Sequence, residues 1–152
     1  MAIEDVEGQK AWVESTLESE IIEKYDDSHF IFYQSTNMPF PVKDRDVVLE
    51  YSRIQNPETK TVHIEFNTIK GKMKVKDNFI RVPMSHSSYT IKSNSDGYTT
   101  FDYFIKVDVG GSLPQWLVNL AMSTSITSTI QALYDYIKSD PYNGIVLDGV
   151  EN

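Results

Sequence analysis

Residues 98–121 decide the fold: Tyr98-Thr-Thr-Phe-Asp-Tyr-Phe-Ile-Lys-Val-Asp108 runs into Val109-Gly-Gly-Ser112 and then Leu113-Pro-Gln-Trp-Leu-Val-Asn-Leu-Ala121. In the first part Phe101, Tyr103, Ile105 and Val107 recur at every second position, the signature of a strand with one buried face. After Gly110-Gly111 the apolar spacing becomes helical: Leu113, Trp116, Leu117, Leu120 and Ala121, then Ile126, Ile130, Leu133 and Ile137. Ser112 is a good N-cap, Pro114 suits a first turn where no N–H is needed, and Pro141 ends the run. The spacing predicts about 25 helical residues, ~38 Å at roughly 1.5 Å per residue. The middle, Ser123-Thr-Ser-Ile-Thr-Ser-Thr129, is poor in helix formers, so packing must hold it or it bends.

Upstream, the first dozen residues, to Trp12 and Val13, read as a short acidic helix. Glu18–Tyr25 and His29–Ser35 read as a strand hairpin across Asp26-Asp27-Ser28, whose side chains bond their own backbone in turns. Met38-Pro-Phe-Pro41 is a loop with apolar side chains, since two prolines remove two backbone donors. Asp46–Ile54 alternates with Val47, Leu49 and Tyr51 on one face. Thr61–Phe66 alternates with Val62, Ile64 and Phe66 opposite Thr61, His63 and Glu65. Phe79–Met84 and Tyr89–Ser93 read as two shorter strand pieces, or as one long bent strand interrupted near Pro83. Gln55–Thr59 and Ser95-Asp96-Gly97 are turns. Lys70, Lys72, Lys74 and Lys76 fall on one face of an extended edge strand, where lysine discourages pairing; a contact for anionic lipid is the sharper reading. The fold class is α+β: an antiparallel meander of about six strands and one long C-terminal helix, each covering the other's apolar face. The domain is expected over 1–140, with 141–152 a tail.

Composition bounds the function. The chain has 152 residues, 40% hydrophobic and 24% charged, with no cysteine. That suffices for one core and excludes disulfides, thiol nucleophiles and cysteine-bound metal. A net charge of −8 argues against nucleic-acid binding, which draws on clustered cations. No stretch approaches the roughly 20 apolar residues of a membrane span, and Glu4, Asp5 and Glu7 stand where a signal peptide is basic. A soluble, cytoplasmic protein is expected. Nucleophile-elbow, P-loop and dinucleotide motifs are missing, and His29, His63 and His86 share no ligand spacing, so no catalytic residue, metal or cofactor is assigned. In Lys43-Asp44-Arg45-Asp46 the choice lies between an ion-paired strand start and ligand contact by Arg45. Arg81 could meet a phosphate, a carboxylate or a structural partner.

Three stretches in order carry a resemblance. They are Phe32-Tyr-Gln-Ser-Thr-Asn-Met-Pro-Phe-Pro-Val-Lys-Asp-Arg-Asp-Val-Val48, Phe79-Ile-Arg-Val-Pro83 and Val107-Asp-Val-Gly-Gly-Ser-Leu-Pro-Gln-Trp-Leu-Val-Asn119. Together with Trp12 they resemble the START domain, the StAR-related lipid-transfer family, especially its bacterial members, over residues 5–139. The resemblance implies a helix-grip fold: a curved sheet wrapped around the C-terminal helix, enclosing a cavity for one lipid. It also implies that the family's first helix and first three strands have no counterpart here, which leaves the sheet without one wall: either a shorter variant closes differently, a second chain covers the exposed edge as a homodimer, or the sequence is a piece of a longer one. Sterol-binding members have an acid–arginine pair; the matching residues are Gln34 and Tyr51, a neutral pair able to bond a hydroxyl or ester.

Under this reading Tyr33, Leu49, Tyr51, Phe101 and Tyr103, with Trp116 and Leu120 of the helix, line an apolar pocket. Gln34, Arg45, Tyr51 and Arg81 orient a head group. The Met38–Pro41 loop and the weak helix middle are gates. The expected function is non-enzymatic binding of a lipid or other hydrophobic small molecule, for transfer or sensing, with transient membrane contact. The alternatives are a helix-grip cyclase or hydrolase using His63 or Glu65, and an incomplete domain acting as an assembly piece.

Overall fold

The computed structural model describes residues 2–13, 15–113 and 115–138, without the side chains of 115–117 and 119–125. A 3₁₀ turn, Ala2–Glu4, and a short helix α1, Gln9–Trp12, precede the strands β1 (Thr16–Lys24), β2 (His29–Thr36), β3 (Arg45–Asn56), β4 (Thr61–Thr68), β5 (Ile80–Arg81), β6 (Met84–Ser93) and β7 (Thr99–Asp108). Helix α2, Gln115–Ile137, follows. The sheet order is β1-β2-β3-β4-β6-β7, antiparallel throughout its main path. This is the antiparallel meander and C-terminal helix of the helix-grip fold.

Registers place the alternating residues on common faces. Phe32 lies opposite Leu49, Gln34 opposite Val47, Tyr51 opposite Phe66 and Tyr89 opposite Tyr103. These side chains share the inner face, since paired residues of adjacent strands point the same way. An aromatic row crosses it: Phe30 stacks on Tyr51 at 4.3 Å, Tyr51 meets Phe66 edge-on at 5.4 Å, Phe66 meets Tyr89 at 5.6 Å, and Tyr89 stacks on Tyr103 at 4.8 Å. At one end of this face the core is filled by Ala2, Ile3, Val6 and Trp12 from the N-terminal segment and by Leu133 of α2. Tyr136 Oη donates to Asp5 Oδ2 at 3.2 Å, tying α2 to that segment. The acidic start of the chain is thus a buried plug whose apolar residues face inward.

Four expectations are corrected. The segment after Phe79 is a strand only at Ile80–Arg81, and it runs parallel to β3 instead of joining β6, because Pro83 breaks the run and Ile80 and Val82 bond Asp44 and Asp46 carbonyls. The lysine stretch is a loop, not an edge strand. Lys72 binds Glu23 at 2.6 Å and Lys76 binds Glu18, drawing the loop across the outer face of β1 and β2. Under it Met73 and Ile69 pack on Ile31, Tyr33 and Val48, so β2 is buried on both faces. Helix α2 starts at Gln115, three residues beyond Ser112, and its buried side in the described part runs through Thr129, Ala132, Leu133 and Tyr136. Ile130 and Ile137, expected on that stripe, are exposed, because the N-terminal plug meets the face carrying Leu133 instead. Residues 139–152, including Pro141 and the expected tail, lie outside the described residues.

Candidate functional site

The other end of the inner face is hollow. A cavity of about 300 Å³ lies there, at the lower bound of the roughly 300–1,000 Å³ of ordinary small-molecule sites. Its floor is Phe32, Val47, Leu49, Phe66 and Tyr89, one side is Tyr103, Ile105 and Val107 of β7, and Thr129 of α2 stands across it. Trp12 and Val13 of the N-terminal segment line it as well. Met38, at the start of the proline loop, lines it too, while Phe40 at the tip of that loop is 97% exposed.

Its polar groups are few and gathered. Gln34 Nε2 donates to Gln9 Oε1 at 3.1 Å, and Gln9 Nε2 donates to the Ile3 carbonyl at 3.2 Å. The Trp12 indole N–H is buried with no hydrogen-bond partner among the described residues. Such an orphan donor is uncommon in a native structure, and it stands on a residue of the cavity wall. Arg45 is buried at 5% exposure and lines the cavity; it donates to the carbonyls of Lys43, Val109 and Gly110, the last two at 3.2 and 3.0 Å. Loss of solvent pulls its pKa below the usual arginine value. Gly110 and Gly111 both hold positive φ, and a Cβ on Gly111 would sit 3.3 Å from Arg45 Nη2, so the turn that receives the guanidinium has to be glycine. Burial raises the Tyr103 pKa, and burial, with the neighbouring phenol of Tyr103, raises that of Tyr89, so both phenols stay neutral near pH 7.

Of the ten residues predicted to bind ligand, Gln34, Arg45, Leu49 and Tyr103 line the cavity. Four do not. Tyr33 faces outward, beneath Lys76 at 4.3 Å, because Gln34 and Phe32 beside it take the inner face and a strand cannot turn neighbours the same way. Tyr51 and Phe101 face inward but belong to the filled core; Tyr51 donates to Glu4 at 2.6 Å, and Arg53 joins Glu4 at 2.9 Å. The expected Gln34–Tyr51 pair is therefore not made. Arg81 lies on the outer side, held by Asp46 at 2.8 and 2.9 Å, which raises its pKa further. Trp116 and Leu120 fall on α2, with their side chains outside the described residues.

His63 and Glu65, the acid–base candidates, sit on the outer face, 3.3 Å apart and half exposed. Among the described residues no group of three His, Asp or Glu side chains could hold a metal. The cavity residues that sequence reading missed were legible in part: Phe32, Thr36 and Val47 share parity with Gln34 and Leu49. Gln9 and Trp12 gave no such signal, being placed by tertiary packing of the N-terminal segment.

A concave, mostly apolar hollow with a few gathered polar groups, closed by a terminal helix, is the general form of a small-molecule site. The chain belongs to the START domain family: the family model matches residues 1–134. The family binds and transfers lipids and other hydrophobic ligands. An uncharacterized protein of Pseudomonas aeruginosa is 26% identical over 136 residues, 86% of this chain and 63% of that protein. The human START domain-containing protein 10 is 24% identical over 132 residues, 87% of this chain and 45% of its own length. The chain thus spans about half to two thirds of the curated relatives it matches. The crystal structure of a STAR-related lipid transfer protein fragment from Xanthomonas axonopodis superposes with a TM-score of 0.79 at 20% identity, covering 91% of this chain and 76% of that one. Human StAR-related lipid transfer protein 5 gives 0.74 at 22% identity, covering 84% and 62%.

Proposed function

We propose that this chain is a non-enzymatic carrier or sensor that takes one hydrophobic ligand into the cavity between sheet and α2. The observation that carries the reading is the hollow end of the inner face: an apolar lining with Gln34 and Arg45 as its few polar groups. Uptake is driven by burial, about 0.8 kcal/mol per methylene, and needs no chemistry. A polar group on the ligand would meet Gln34, which Gln9 holds in place at the cavity wall.

The loop tip supports a way in. Phe40 is flanked by Pro39 and Pro41, stands clear of the protein, and lies two residues from Met38 of the cavity wall. In this reading it touches a bilayer while the ligand passes.

Native mass spectrometry of the purified chain, under conditions mild enough to retain lipid, is expected to show a one-to-one adduct. After delipidation, reloading should shift the emission of Trp12 in a W116F background, where it is the remaining tryptophan. A chain that stays bare, with Trp12 emission unmoved by long-chain alcohols, fatty acids or phosphatidylcholine vesicles, overturns the proposal.

A further inference from the structure

A relay of two amides fixes which end of Gln34 is left for a ligand. It starts at a backbone carbonyl, that of Ile3, which meets the Gln9 amide at 3.2 Å. A carbonyl can only accept, so the Gln9 group turned toward it is the NH₂. Gln9 Oε1 then points the other way and takes two donors, Gln34 Nε2 at 3.1 Å and Ser19 Oγ at 3.5 Å. Ser19 is the cross-strand partner of Gln34, so β1 and β2 bring both donors to the same oxygen. Gln9 and Ser19 are buried, and solvent does not compete for these contacts.

The consequence falls on Gln34. With its Nε2 committed to Gln9, the remaining polar end is Oε1, which accepts from no donor among the described residues. Gln34 is half-buried and lines the cavity among Phe32, Val47 and Leu49. Arg45, the other polar group of that wall, is the opposite case: it has only donors, and it uses three of its five N–H groups on the carbonyls of Lys43, Val109 and Gly110.

We propose that Gln34 Oε1 is the head-group acceptor of the cavity, and that it selects hydrophobic ligands whose polar end donates a hydrogen bond, a hydroxyl above all, over ethers and esters that can only accept. Gln9 is the positioning residue: it touches the ligand's head only through the orientation it imposes on Gln34. The proposal rests on the carrier reading above and narrows the ligand class within it. A head group seated on Arg45 instead would be read by donors alone, and an ether or ester would then bind as well as an alcohol.

Isothermal titration of the delipidated full chain with 1-decanol and with 1-methoxynonane tests it, since the two have the same number of heavy atoms and differ in the hydroxyl donor. The alcohol is expected to bind about fivefold to tenfold more tightly, the value of one hydrogen bond in a partly wet site. Q34L should bind the two ligands equally. Q9L leaves the Gln34 amide free to turn either end inward, so the preference should shrink because the ether gains, with 1-decanol held within about twofold; a merely structural lesion would weaken both. Circular dichroism melts check that the variants fold, and Q34L carries the test alone if Q9L does not. Equal affinity of the wild type for the two ligands, or an alcohol preference that survives Q34L, overturns the acceptor assignment while leaving the carrier reading intact. Uptake of neither ligand overturns both.

Discussion

Asp46 and Arg81 show how much one pair decides. The Asp46 carboxylate has no solvent exposure, and both of its oxygens accept from Arg81, whose side chain keeps 19%. Removing one partner of a buried pair strands the other charge without water. R81M should lower stability by roughly 2–4 kcal/mol, somewhat under a fully buried pair because Arg81 retains solvent contact. A fall in urea midpoint with unchanged slope checks this, and D46N in the same background should recover part of the loss. Occupancy of the cavity in the folded protein should not change, since Arg81 lies on the opposite face from Gln34 and Leu49. At this scale the sequence was partly readable. Arg81 and Arg45 both looked able to hold a head group, yet only distance separates an arginine clasped by Asp46 from one set in a ring of carbonyls. Tyr33 was misread because β2 is buried on both faces, which erases the alternation that tells inside from outside.

Among the elements, the β1–β2 hairpin is the most dependent on charge. Glu23 is held below its ordinary value of 4.5 chiefly by its hydrogen bond to Lys72, Asp27 is held low by Lys24, and Asp26 by the Ser28 hydroxyl and amide. A carboxylate with a depressed folded pKa stabilises fully above its unfolded value, and the contribution fades as pH falls through the folded one. These contacts should therefore be intact at pH 6 and lost progressively below about pH 4. Amide exchange measured at several acidic pH values, corrected for intrinsic rates, should show β1 and the covering loop opening before β3 and β4; uniform opening would contradict the assignment. Element positions were the most legible part of the chain. Turn chemistry at Asp26-Asp27-Ser28 and Ser95-Asp96-Gly97, and alternation in β3, β4 and β7, follow from local rules. The lysine loop was not legible, because its period-two pattern is also that of a strand, and the distant acids Glu18 and Glu23 decide its path.

For the whole molecule the cavity volume limits the ligand. About 300 Å³ holds roughly ten water-sized groups at ~30 Å³ each, enough for a single medium chain or a small ring system. A two-chain phospholipid requires α2 or the Met38–Pro41 loop to move outward. A decyl-chain alcohol should raise the melting temperature and leave amide exchange in α2 unchanged. A phosphatidylcholine of two long chains, if taken up, should speed exchange there. Equal effects of the two ligands would show that the cavity is not the limiting dimension.

The loop pinned over β1 and β2 gives the sheet a graded stiffness. On that side three layers, loop, strands and N-terminal plug, are clamped together, so bending any one strains the others. Toward β7 the described residues form a single sheet thickness beside a hollow. Deformation imposed by an incoming guest therefore concentrates at the β6–β7 margin, as a cantilever flexes at its thin end while its root stays still.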